Sequence, residues 1–136
     1  MSSTSLWPSF GEIKLIKTPK IILKEQAHIL QSITSGYIKT EIQTAPHSNL
    51  LNKVSHVMKI TAPSVENFST AIVQVDHDII KLYPLNVTSR IKAMPVAYTA
   101  IDESEYLILL KKIFEEKETI ETIQSLLAQS KSNEKV

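Results

Sequence analysis

What the sequence leaves out sets the first bounds on it. There is no cysteine, which removes disulfides, thiolate nucleophiles, zinc ribbons and iron–sulfur clusters together. Glycine is almost as scarce, with only Gly11 and Gly36. A phosphate-cradling loop needs several glycines close together, so a P-loop and a dinucleotide fingerprint are excluded in any standard form. No apolar run approaches the roughly 18 residues of a membrane span. The start of the chain also lacks the basic–apolar–small order of a secretory signal. We therefore expect a cytoplasmic protein with no membrane partner. The sequons Asn67-Phe68-Ser69 and Asn86-Val87-Thr88 carry no meaning there, because glycosylation needs the secretory route. No G-x-S-x-G elbow, H-E-x-x-H helix or H-x-E…C-x-x-C site occurs.

A strong charge of one sign is missing as well. The net charge is +1, but it is unevenly placed. Residues 1–101 carry ten Lys/Arg against six Asp/Glu, a balance of +4, and residues 102–136 carry five against eight, a balance of −3. A nucleic-acid surface needs a dense basic stripe, and Lys14, Lys17, Lys20, Lys24 and Lys39 are too sparse to make one. Nucleic acid is not an expected partner. What remains is ordinary globular composition, 43% hydrophobic and 21% charged over 136 residues, enough for one domain with a sizeable core.

The best punctuated stretch runs from Thr18 to Gly36. Thr18 can cap the first turn of a helix, Pro19 suits its first position, and Gly36 can close it in the left-handed conformation. Ile22, Ile29, Leu30 and Ile33 share one stripe of that helix, with Leu23 at the margin and Gln26 as its one polar member. Before it, Gly11 to Lys17 reads as a short edge strand or an extended lead-in. Trp7 and Phe10 are expected to tuck over an edge of the core.

After Gly36 the period changes to two. Ile38, Thr40, Ile42 and Thr44 alternate with Lys39, Glu41 and Gln43 up to Pro46. His47 to Lys53 reads as a loop. Val54, His56, Met58 and Ile60 then share one face of a second strand that Pro63 stops. Ser69 to Val75 is apolar on both faces and belongs in the middle of the sheet. Asp76-His77-Asp78 is expected to bend the chain before Ile79–Tyr83 resumes as a strand. Val87–Met94 and Val96–Ile101 are further strand candidates. These short spacings favour an antiparallel meander.

From Asp102 onward the chain is helical, with Asp102 and Glu105 at capping-box spacing. Tyr106, Ile113, Ile120 and Leu127 fall at intervals of seven, and Glu116 interrupts the second seam position. The residues allow one long helix or two that meet near Lys117–Thr119, with Thr119 capping the second. Lys111 and Lys112 stand four residues before Glu115 and Glu116, which suggests local pairing.

These elements predict a two-layer α+β domain over residues 1–130, followed by a polar tail at 131–136. The first helix lies across an antiparallel sheet of about four to six strands from residues 37–101, with the helical residues 103–129 packed beside it. The expected core is Ile22, Ile29, Leu30, Ile33, Ile42, Met58, Ile60, Val73, Val75, Leu107, Leu110 and Phe114.

For function the sequence offers two classes. The first is a non-enzymatic protein-interaction module, with Ile120, Ile123, Leu126 and Leu127 as its surface and a protein partner or a second copy of the chain as its occupant. The alternative is a small ligand-binding protein or hydrolase with His56, Asp76 and His77 in one pocket. His56, Asp76, His77 and Asp78 are its only candidate residues, and no cofactor or metal is expected. On a strand, Asp76 and Asp78 would share one face and His77 the other. His28 and His47 have nothing around them that implies activation.

Overall fold

The computed structural model describes residues 4–12, 16–46 and 52–134. The stretch Gly11–Lys17, expected as a short edge strand or an extended lead-in, opens instead with Gly11 and Glu12 in a 3-10 turn, while residues 13–15 and most of the loop at His47–Lys53 (47–51) lie outside the described residues. The elements are a short 3-10 turn Phe10–Glu12, helix α1 Pro19–Ile33, strands β1 Lys39–Pro46, β2 Lys53–Ala62, β3 Phe68–Asp78, β4 Leu85–Ser89 and β5 Ala97–Ala100, then helices α2 Glu103–Phe114 and α3 Lys117–Ser132. The strands form one antiparallel sheet in sequence order, β1-β2-β3-β4-β5. The α+β architecture is therefore the one the residue periods predict. Among the described residues, no helix is long and apolar enough to cross a membrane.

Local chemistry explains the ends of α1. Thr18 Oγ1 accepts from the Ile21 N–H at 3.2 Å, with Pro19 opening the helix. At the other end, Gly36 N–H donates to Gln31 O at 2.9 Å and Ser35 N–H to Ser32 O at 3.0 Å. These are the paired bonds of a Schellman close, with Ser35 and Gly36 both at positive φ.

The helices cover the sheet face that carries His56, Met58, Ile60, Val73, Val75 and Val87, all buried. β2 and β3 slip register between Met58 and Lys59, so that Val73 pairs Met58 and Ala71 pairs Lys59. Ile72 is the extra residue of that bulge, and it turns inward beside Val73; both are buried. The opposite face is polar, with Ser55, Lys59, Gln74, Asp76 and Asn86 along it.

Several expectations need correction. β3 does not bend at Asp76 but runs through Asp78, and Ile79–Tyr83 forms no strand. Ile79 and Ile80 are exposed. Trp7 and Phe10 do not tuck over the core; both stand in solvent. Ile29, Ile33 and Leu107 are not core residues, being 48%, 73% and 45% exposed. The seat of α1 is Pro19, Leu23 and Ala27, with Ile22 beside it. The sheet-facing line is thus rotated away from Ile29 and Ile33, and Thr40 of β1 bonds the helix on the opposite side, at Ala27 and Gln31. Its Oγ1 donates to Ala27 O at 2.9 Å, and its N–H donates to Gln31 Oε1 at 3.2 Å.

The C-terminal residues form two helices. Glu115 and Glu116 leave the helical path, and the Glu116 carboxylate meets Lys92 from the loop after β4. Lys111 pairs with Glu115 at 3.1 Å as the spacing suggests. Lys112 instead lies 4.4 Å from the centre of the Tyr98 ring on β5. Asp102 caps α2 by accepting from the Glu105 N–H at 2.9 Å, while Glu105 Oε1 accepts from the Ile101 N–H at 3.0 Å. Thr119 does not cap α3, which starts after Glu116. Its buried hydroxyl donates to Ile113 O at 2.9 Å and so closes the end of α2. α3 continues to Ser132. Beyond it, Asn133 Nδ2 donates to Ser64 O at 2.7 Å, and Glu134 accepts from the Tyr37 hydroxyl at 2.6 Å.

Candidate functional site

Two places in the molecule concentrate features that folding alone does not require. The first is a pair of buried imidazoles. His56 on β2 and His77 on β3 are diagonal neighbours on the covered face, because His56 stands opposite Val75 and His77 opposite Val54. Their Nε2 atoms are 2.8 Å apart, and the rings are 4% and 6% exposed.

The outer nitrogens are also engaged. His77 Nδ1 lies 2.8 Å from Asp78 O, and His56 Nδ1 lies 2.8 Å from Thr44 Oγ1. A carbonyl oxygen can only accept, so His77 Nδ1 carries the hydrogen. With both rings uncharged, one pattern satisfies every nitrogen. Thr44 donates to His56 Nδ1, His56 Nε2–H donates to His77 Nε2, and His77 Nδ1–H donates to Asp78 O.

Charge is held off His56 by its surroundings. Burial, then the neighbouring His77 and Lys20, lower its pKa to about 4, while Asp76 pulls weakly the other way.

The carboxylates do not join this pair. Asp76 projects from the opposite face of the sheet, where it accepts from Ser55 Oγ and from Gln74 Nε2 at 2.9 Å. Arg90 Nη1 in turn donates to Gln74 Oε1. Asp78 accepts from the Ile80 N–H at 2.9 Å and the Lys81 N–H at 3.3 Å, and those bonds hold its carboxyl below the usual range. Asp78 therefore orders the turn after β3. The structure brings His56 and His77 together and leaves Asp76 and Asp78 apart from them. A serine–carboxylate pair lies on one side of the sheet and the imidazoles on the other, so these residues do not line up as nucleophile, base and orienting acid. Among the described residues, no three His, Asp or Glu side chains group as a metal site would require.

The second place is a groove between α1 and the α2–α3 pair. Its first wall is the flank of α1, Gln26, Ile29, Leu30 and Ile33. Thr119, Ile120, Ile123 and Gln124 of α3 form the other wall, with Phe114 at one end. Met58 and Ile72 make the floor, so the bulge in β3 supplies part of it. The volume is about 290 Å³, close to twice the ~150 Å³ of a cavity that admits benzene. No charged side chain lines it.

Of the residues expected to form an interaction surface, Leu126 is buried, and Ile123 and Leu127 pack against the core. Ile120 remains 40% exposed on the groove wall. Most of the α3 stripe is therefore used within the chain. The sequence does not single out the groove itself, although its α1 wall is the stripe through Gln26, Ile29 and Ile33 whose isoleucines the periodicity places in the core. The signal that could have found it is the width of the apolar arc on α1, from Ile22 through Leu23 and Ala27 to Ile33, broader than one sheet contact uses.

Comparison with protein-family models, with curated proteins and with solved structures found no match for this chain.

Proposed function

We propose that the protein is a non-enzymatic interaction module whose docking surface is the groove between α1 and α3. One observation carries this reading. Ile29, Ile33 and Ile120 face a common apolar depression with Met58 and Ile72 at its floor, and none of the described residues fills it. Large aliphatic side chains scattered singly on a surface need no explanation, but a contiguous patch around a concavity does. Two helix flanks set side by side suit an apolar segment laid between them.

The alternative, a ligand-binding protein or hydrolase built on His56, Asp76 and His77, is weakened by geometry. Those three residues do not share a cleft. The imidazole pair reads better as a satisfied polar inclusion of the core.

A photo-crosslinking side chain in place of Ile33 tests the docking reading in the native cell. Lys24, exposed on the outer side of α1, serves as the control position. Protein adducts at position 33, absent at position 24 and lost when Ile120→Asp is added, are the expected result. Equal labelling at the two positions, or none at 33, contradicts it.

A further inference from the structure

We infer that the occupant of the groove is the segment Leu6–Phe10 of a second copy of this chain, with two chains exchanging these segments reciprocally. The inference rests on the docking reading above and adds the partner.

Leu6, Trp7 and Phe10 are between 61% and 95% exposed. They are the only three large apolar residues among residues 4–12, and none finds cover among the described residues of its own chain. The Trp7 and Phe10 rings stand 6.4 Å apart as a tilted pair. Such a pair presents about two benzene-sized groups, and the groove offers about two benzene-sized volumes. Charge matches as well. No residue from Thr4 to Phe10 is ionisable in its side chain, and no charged residue lines the groove. A charged helix or an acidic peptide would have to desolvate its charges against isoleucines, whereas Leu-Trp-Pro-Ser-Phe would not.

Area favours exchange over a single docked segment. Two aromatic side chains bury roughly 400 Å², and the groove they enter loses less than that. Reciprocal docking doubles the sum to roughly 1,000 Å², the least a specific interface needs, whereas one segment alone stays within the range of crystal-packing contacts.

The test uses the full chain. Its one tryptophan, Trp7, makes intrinsic emission a reporter of this segment alone. Light scattering at tens of micromolar should give the mass of two chains, and the emission of Trp7 should shift to the blue as concentration rises. Trp7→Ala with Phe10→Ala should give a monomer whose thermal unfolding matches that of the wild-type chain diluted until it too is monomeric, since neither side chain belongs to the core. Ile33→Asp should likewise give a monomer, with Trp7 emitting as a solvated ring at all concentrations.

A monomer throughout the range overturns the inference. So does a blue-shifted monomer whose emission ignores concentration, because the segment would then dock on its own chain. A dimer that survives the Trp7→Ala, Phe10→Ala double change also overturns it. Each of these outcomes leaves the docking reading standing if position 33 still crosslinks to another protein.

Discussion

The two ends of α1 are packed differently. At its start, Pro19, Ile22 and Leu23 are buried, and the Tyr106 hydroxyl of α2 donates to Pro19 O at 3.0 Å. Burial pushes the Tyr106 phenol far above its ordinary range, so the hydroxyl stays a donor at any physiological pH. Towards its end, α1 keeps hold of β1 through Ala27 and Gln31 but parts from α3, and Ile29 and Ile33 are left facing the groove. One end of the helix is spent on stability. The other keeps an apolar wall that the described residues leave uncovered.

The largest expected effect lies at the closed end. Tyr106 is fully buried, packs its ring edge-on against Tyr83 and ties α2 to α1. Tyr106→Ala should cost about 3–5 kcal/mol in urea unfolding, the range for truncating a buried aromatic. A loss below about 1 kcal/mol would show that α1 and α2 are not joined there.

Next comes acid. Burial, with His77 and Lys20 beside it, pushes the His56 pKa down to about 4 in the folded chain, from an ordinary value of 6.5. The folded value is the lower one, so the unfolded chain takes up the proton first as pH falls. This contribution is complete above about pH 6.5 and is lost progressively down to about pH 4. At roughly 1.4 kcal/mol per unit, the loss is about 3 kcal/mol. His56→Gln, which keeps hydrogen-bonding groups but cannot titrate there, should flatten that part of the stability–pH curve. An unchanged slope in the variant would place the acid sensitivity elsewhere.

A smaller change sharpens the same contrast. Thr18→Ala removes the side-chain acceptor from the start of α1 and should cost about 1 kcal/mol, read as a fall in the denaturation midpoint. No shift would mean that the first turn holds through the Tyr106–Pro19 bond and packing alone.

Much of this fold was legible because its signals are local. Thr18-Pro19 and Gly36 mark the ends of α1, alternation from Ile38 to Thr44 marks β1, and Pro63 stops β2. The failure of the seam at Glu116 also correctly marked the break between α2 and α3. Tertiary facts decided the rest. An apolar arc running from Ile22 to Ile33 does not reveal which line meets the sheet; Thr40, reaching up from β1 to Ala27 and Gln31, decides it. The inward turn of Ile72 depends on a bulge that nothing in Ser69–Val75 announces. His56 and His77 are 21 positions apart, and only the register of β2 against β3 makes them diagonal neighbours. Thr119 looks like a cap for α3 because its type fits, but its hydroxyl donates instead to the Ile113 carbonyl at the end of α2, beside the Glu116 N–H.

The most direct test of the free wall is Ile33→Asp, followed by both unfolding and self-association. Ile33 is 73% exposed, so at a dilution where both chains are monomeric the change should alter folding free energy by no more than about 0.5 kcal/mol. The same variant should lose its adducts and its two-chain mass. A loss of several kcal/mol, with the chain partly unfolded, would contradict this and return Ile33 to the core.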